Sequence, residues 1–312
     1  MDSVSAFFYC DVFFHLSHHY RCLIAREFRG RRLGSEAERY VNLNPYTILQ
    51  IVRIGRWRTF NSNVDDLWGF RGFRGGQTMQ PKELIPVAEL SQHDNLSFNA
   101  VVYGKKTELD HFENQEVVKL NLKDEKAKNL LNCVADDACL IITHASEGAG
   151  YVINVLKNKI CELEIPNYFQ STYTVGAHLK TLFPGKPFRK VTLRNAYIKD
   201  ESIFDQIFKQ TDEVKIIRTY RLADTEHYPS ILKRLQCLMK LAEEGTHCPR
   251  IVDFTTKFLT STQDEVLNRL HSALRIRGFV LTEDEFKLRI HNTAFTVIAE
   301  RNTLSIGIKV AT

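Results

Sequence analysis

Between residues 117 and 279 the chain repeats one unit: a short run of alternating apolar and polar residues, then a stretch with helical periodicity. The runs are VVKLNL (117–122), LIIT (140–143), CELEI (161–165), KVTLRN (190–195), VKIIRT (214–219), RIVDFT (250–255) and ALRIRGF (273–279). Their starts lie 21 to 29 residues apart, except for the step from Val214 to Arg250. A period in the twenties marks stacked units, each burying its apolar edge only against a neighbour. Such stacks present long surfaces, so the pattern points to recognition before chemistry.

The alternation carries more information. Leu163 and Ile165 alternate with Glu162 and Glu164, and Val191 and Leu193 alternate with Thr192 and Arg194. Period two means one dry face and one wet face. A parallel sheet roofed by helices on both sides would instead give continuous apolar strands. The expected fold is therefore α/β, a leucine-rich-repeat-like solenoid with helices on one side. The intervening segments fit: DESIFDQIFKQT (200–211) places Ile203, Phe204, Ile207 and Phe208 on one helical face, with Asp200 as cap. The segment 228–245 is a longer helix ending at Gly245, and STQDEVLNRLHS (261–272) is another. The tail changes rhythm. EFKLRIH, AFTVIAE and TLSIGIKV are separated by turn residues and predict a C-terminal antiparallel β meander, with 283–312 as a terminal cap.

Ahead of the repeats, residues 1–85 are expected to form a small basic helical head, with the repeat body over 86–312. The segments 4–29, 35–43 and 44–57 have helical spacing, with Asn44 and Pro45 opening the third. GFRGFRGG (69–76) is too glycine-rich for an element interior and reads as a loop. Between Arg21 and Arg74 there are eleven arginines, no lysine and five acidic residues, so the formal charge of +5 belongs to this segment. The 44% hydrophobic and 25% charged content is that of a folded chain. No apolar run reaches the ~18 residues of a membrane span, and AFFYCDVFFHL (6–16) carries Asp11 and lacks the flanks of a signal peptide. Seven scattered cysteines without a C-x-x-C pair predict reduced thiols, hence a cytoplasmic or nuclear protein.

No phosphate-binding loop, nucleophile elbow or zinc-protease motif is present. EGAG (147–150) lacks a third glycine and reads as a turn. His15, His18 and His19 share a helix face without a fourth ligand at zinc spacing. His247 and Cys248 adjoin in sequence, which does not make a catalytic dyad. The expectation is a non-enzymatic protein with no cofactor and no metal. Arg53, Arg56 and Arg58 around Trp57, with Arg71 and Arg74 around Phe73, give an alternative: a nucleic-acid-associated protein using the segment 53–74. The main reading is protein–protein recognition on the wet sheet face. Its expected lining is Lys119, Asn121, Glu162, Glu164, Thr192, Arg194, Lys215, Thr219, Asp253, Thr255, Arg275 and Arg277. Mixed signs along that lining predict a partner of alternating charge.

The units CELEIPNYF, AHLKTLF, KVTLRNAYIKDESIFDQIF, VKIIRTYRLA and YPSILKRL, closed by FKLRIHNTAFTVIAERNTLSIGIKV, resemble the leucine-rich-repeat-like, F-box-associated proteins of nematodes. CDVFFHLSHHYRCLIAREFRG (10–30) is similar to the second half of an F-box, with Leu16, Cys22, Leu23 and Phe28 in the apolar places. The resemblance implies docking on a Skp-type adaptor through these residues. It also implies a role as substrate-binding subunit of an SCF-type ubiquitin ligase.

Overall fold

The computed structural model describes residues 18–43, 46–56, 66–75, 83–92, 96–105, 117–143, 147–166, 172–183, 186–194, 202–220, 228–258, 263–282, 285–300 and 305–311. These hold nine helices and fourteen strands, a mixed α/β fold. The chain divides into two compact units, Met1–Cys139 and Leu140–Thr312.

The first unit opens with α1 (His18–Glu27) and α2 (Arg32–Leu43), which pack on each other. The turn between them is tight: a Cβ on Gly34 would collide with the carbonyl of Phe28, so glycine is required by close approach. Next come β1 (Thr47–Arg56), β2 (Asp66–Arg74), β3 (Glu83–Ile85), α3 (Val87–Gln92), β4 (Phe98–Lys105), β5 (Val118–Asn121) and α4 (Glu125–Asn132), and β6 (Val134–Ile142) follows. β1 lies antiparallel to β2 and parallel to β4. β3 and β5 share the other edge of β2, both antiparallel to it. Ile48, Leu49, Gln50, Ile51 and Val52 are all buried, so β1 is covered on both faces.

Two local readings within the head are corrected. Residues 44–57, read as a helix, contain strand β1; Asn44 and Pro45 lie outside the described residues. Residues 69–74, read as loop, belong to strand β2. Glycine suits that strand because a Cβ on Gly72 would come within 2.9 Å of Ile85 and 3.1 Å of Leu90. VVKLNL, expected as the first parallel unit, is the antiparallel partner of β2.

The second unit contains α5 (Glu147–Leu156), β7 (Ile160–Ile165), α6 (Thr172–Leu182), β8 (Phe188–Arg194), α7 (Ile203–Gln210), β9 (Thr211–Tyr220), α8 (Tyr228–Glu243), β10 (Ile251–Phe258), α9 (Gln263–Ile276), β11 (Val280–Thr282), β12 (Glu285–Ile290), β13 (Thr293–Glu300) and β14 (Ser305–Ala311). β7, β8, β9 and β10 pair in parallel and in chain order. From β10 the sheet continues antiparallel through β14, β13, β12 and β11. The meander is present as read, with its last strand against β10. Right-handed crossovers between strands added in one direction all fall on the same face. Consistent with this, α5 touches α6, α6 touches α7 and α7 touches α8. EGAG is the first turn of α5, not a loop turn. A Cβ on Gly150 would stand 3.0 Å from the His178 ring of α6, so this glycine sets the α5–α6 approach.

Register explains the dry side. Leu163, Val191, Val214, Val252, Val310 and Phe295 form one row across six strands, and all are buried. Ile165, Leu193, Ile216, Phe254, Ile308, Val297 and Phe286 form the next, equally buried. Burial of these rows stabilises the second unit by roughly 25 cal/mol for each Å2 of apolar area removed from water.

Candidate partner-binding face

The residues that alternate with the dry rows share the other side of the sheet. One row reads Glu164, Thr192, Lys215, Asp253, Lys309, Thr296 and Lys287 from β7 to β12. Beside it run Glu162, Lys190 and Glu213 on one flank, and Arg194 on the other. Alternation along each strand puts all of them on one face, because a one-residue slip would turn every Val and Leu out of the core. The face is wet: Arg194, Lys190, Lys309 and Lys287 are exposed, while Glu162, Glu164, Glu213, Lys215 and Asp253 are half-exposed. Thr192 alone is buried, at 6% exposure between its charged neighbours.

Charges of opposite sign alternate across the strands. Lys215 Nζ lies 3.4 Å from Asp253 Oδ2, and Arg194 Nε lies 3.8 Å from Glu164 Oε1. Arg189 forks onto Glu162, with Nε donating at 2.7 Å and Nη2 at 2.6 Å. Lys287 Nζ is 2.9 Å from Glu285 Oε2. Lys190, Arg194, Lys215, Lys309 and Lys287 are matched by Glu162, Glu164, Glu213, Asp253 and Glu285. Exposed Arg289 continues the row of Glu162, Lys190 and Glu213 through Ile251, Ala311 and Ala294, so with Arg189 beside Glu162 the face is mixed in sign with a positive excess.

Of the residues read from sequence, Glu162, Glu164, Thr192, Arg194, Lys215 and Asp253 are brought together. Thr219 and Thr255 occupy β9 and β10, but their side chains lie outside the described residues. Lys119 and Asn121 belong to β5 in the first unit, not to this ladder. Asn121 instead organises the following turn: its side chain accepts the Lys123 N–H at 2.9 Å and its own N–H donates to Asp124 at 2.9 Å. Arg275 and Arg277 are corrected outright. Residues 273–276 end helix α9, and the Arg277 guanidinium donates to the Ala273 carbonyl at 3.0 Å, closing the helix C-terminus. The sequence reading left out Lys190, Glu213, Lys309, Thr296 and Lys287. The parity of Lys190–Thr192–Arg194 and Glu213–Lys215 holds the signal for the first two; the others come from the meander, whose pairing partner sequence does not give.

The remaining candidates are simpler. Cys22 and Phe28 are half-buried beside α2, and Leu23 is 36% exposed; Leu16 lies outside the described residues. In the arginine segment, the side chains of Arg53, Arg56, Trp57 and Arg58 lie outside the described residues. Phe73 is buried, and Arg74 is ion-paired with Glu89, so this pair offers no open ring and cation for stacking on bases. Burial lowers the affinity of Arg71 for its proton from the usual guanidinium value.

A cavity of about 230 Å3 between α7 and α8 is lined by Ser202, Phe204, Asp205, Lys233, Arg234 and Cys237. Its volume is below the roughly 300 Å3 at which ligand pockets begin. His247 Nε2 lies 3.3 Å from the Thr211 carbonyl and 3.8 Å from the Asp212 carboxylate. Burial pushes the adjacent Cys248 thiol up to about 11, which keeps it protonated near neutral pH. Among the described residues no group of three or more His, Cys, Asp or Glu is placed to hold a metal ion, and no helix is long and apolar enough to cross a membrane.

Comparison with family models, curated proteins and solved structures gave no match to this chain.

Proposed function

We propose that the charged face of the second unit is the docking surface of a non-enzymatic protein-recognition module. One observation carries the reading: register and alternation gather charges of both signs onto one face of the ladder β7–β8–β9–β10–β14–β13–β12. The parallel run β7 to β10, with its crossover helices on the opposite face, supports a leucine-rich-repeat-like arrangement of those units. A face of mixed sign selects a partner by charge pattern, since like charges brought together across an interface cost several kcal/mol.

On this reading the chain is a substrate-binding subunit of an SCF-type ubiquitin ligase, acting in the cytoplasm or nucleus. The α1–α2 pair meets the Skp-type adaptor through Leu23 and its half-buried neighbours Cys22 and Phe28. The six cysteines among the described residues form no disulfide, which fits a reducing compartment.

The test is affinity purification of the full chain from cells with mass-spectrometric readout. Two variants are compared: Leu23→Lys, and a quadruple alanine replacement of Lys190, Arg194, Lys215 and Lys309. The first is expected to lose the adaptor and keep other partners; the second is expected to keep the adaptor and lose the rest. Identical partner sets for all three proteins would refute the proposal.

A further inference from the structure

One end of the wet face differs from the rest. On β10, β14, β13 and β12 the register sets Ile251, Ala311, Ala294 and Arg289 in one row, with Asp253, Lys309, Thr296 and Lys287 in the next. Ile251 is 53% exposed, while its chain neighbour Val252 is buried on the dry side. The residues beside it in the row, Ala311 and Ala294, are exposed and too short to cover it. The charges here are unevenly spent. Lys287 is held by Glu285 at 2.9 Å. Asp253 faces Lys309 in register but lies 3.4 Å from Lys215 on its other side. Lys309 and Arg289, both exposed, make no ion pair among the described residues. An apolar side chain in water and two unspent cations therefore share one end of the face.

We infer that this end of the face takes an extended segment of a protein partner, with one large apolar residue and acidic residues two and four positions from it. The inference deepens the docking reading above and rests on it. Spacing sets the pattern. Lys309 is diagonal to Ile251 on the neighbouring strand, about 7–8 Å away. Arg289 lies three strand spacings along the row, about 14 Å away. In an extended segment, the side chains two and four positions from a given residue point the same way as its own, at about 7 and 14 Å. A segment laid across the strands seats its apolar side chain on Ile251 and brings its two carboxylates to Lys309 and Arg289. The contacts take apolar surface out of water and give each cation a charge-assisted hydrogen bond. The surroundings keep the anionic stretch short. Asp253 and Glu213 border the site on β10 and β9, and Glu285 borders it on β12. A longer run of phosphates would meet these carboxylates, and Ile251 offers no ring for a base to stack on. A short acidic peptide avoids both conflicts.

An array of heptapeptides tests this, with one leucine and two glutamates in every combination of positions among serines, probed with the labelled full chain. The expected maximum has glutamates at the second and fourth residues from the leucine, in either chain direction. Ile251→Ser, Lys309→Glu and Arg289→Glu, each at an exposed position and checked for folding by circular dichroism, are each expected to weaken binding of that peptide by about tenfold or more. Arg289→Glu should in turn favour a peptide with lysine in place of the more distant glutamate. Equal binding at every spacing, binding kept in all three variants, or no binding to any peptide overturns the inference. So does an oligouridine RNA that binds more tightly than every peptide and is released by Arg289→Glu, since the occupant is then a nucleic acid. If any of these results accompanies loss of cellular partners in the quadruple alanine variant, the docking face stands and only this site falls. If the cellular partners are also unchanged, both fall.

Discussion

Lys215 and Asp253 stand directly opposite each other on the parallel strands β9 and β10, with Nζ 3.4 Å from Oδ2. The pair sits at the middle of the wet face, one side-chain layer away from the buried Val214–Val252 contact. Each side chain keeps roughly two-fifths of its surface in water, so solvent screens the attraction. A double-mutant cycle with alanine at both positions, read from urea unfolding, is expected to give a coupling of about 0.2–1 kcal/mol. That coupling should shrink in high salt. A coupling several times larger, insensitive to salt, would mean that the face is covered rather than open.

Arg234 is a buried cation clamped between two rings. Its guanidinium carbon lies 3.9 Å from the centre of the Phe204 ring and 5.1 Å from that of Phe254, at 2% exposure. Phe204 belongs to α7 and Phe254 to β10, so one side chain of α8 ties the helix layer to the dry row. Arg234→Ala is expected to cost about 2–4 kcal/mol, from lost packing and a desolvated cation–π contact. Arg234→Lys keeps the charge but not the flat stacking plane, and should fall between. Urea midpoints for the three proteins check the order. Equal loss for Lys and Ala would assign the effect to the planar group alone.

The contrast between the two units explains what the sequence could and could not reveal. In the second unit the strands β7 to β10 have one wet face, and the polar residues at alternate positions mark them. In the first unit β1 is buried on both sides, from Ile48 to Val52 without a break. A strand buried on both faces shows no period of two, and in TILQIVRIGR the spacing of Ile48, Ile51 and Val52 matches a helix face instead. Glycine misled at 69–74 because it serves close approach: Gly72 makes room for Ile85 and Leu90. ALRIRGF erred the other way. Leu274 and Ile276 alternate with arginines as in a strand, yet Leu270 and Leu274 are both buried at helical spacing, and Ile276 faces solvent. Register across the antiparallel tail was invisible in principle, since nothing local tells β14 that its partner is β10.

Two glycines separate steric need from mere tolerance. Gly34→Ala brings its Cβ against the Phe28 carbonyl, a backbone atom that cannot swing away. The expected loss is more than about 1 kcal/mol, because the α1–α2 turn must open. Gly150→Ala meets only the His178 ring at 3.0 Å. There the gain in helix propensity of about 1 kcal/mol offsets the displaced ring, leaving a change near zero. Thermal unfolding of both variants distinguishes these cases, and similar losses for the two would contradict the geometry.

Two buried thiols contribute to the loss of stability of the second unit at alkaline pH. Burial, followed by a hydrogen bond from the thiol to the Asp205 carboxylate, pushes Cys237 up to about 12. Burial pushes Cys248 up to about 11. In the unfolded chain both titrate near the ordinary value of 9.0. Between those values the folded state binds more protons than the unfolded one, so stability is full below pH 9 and falls as pH rises toward 11 to 12. Urea midpoints measured across that window should drop less steeply for Cys237→Ala/Cys248→Ala than for the wild type. The comparison between the two slopes removes the shared contribution of lysine and tyrosine titration. Asp205→Asn should give part of the same flattening, since it removes the negative acceptor that holds the Cys237 proton. Parallel slopes for all three proteins would show that these thiols titrate in the folded chain as they do in the unfolded one.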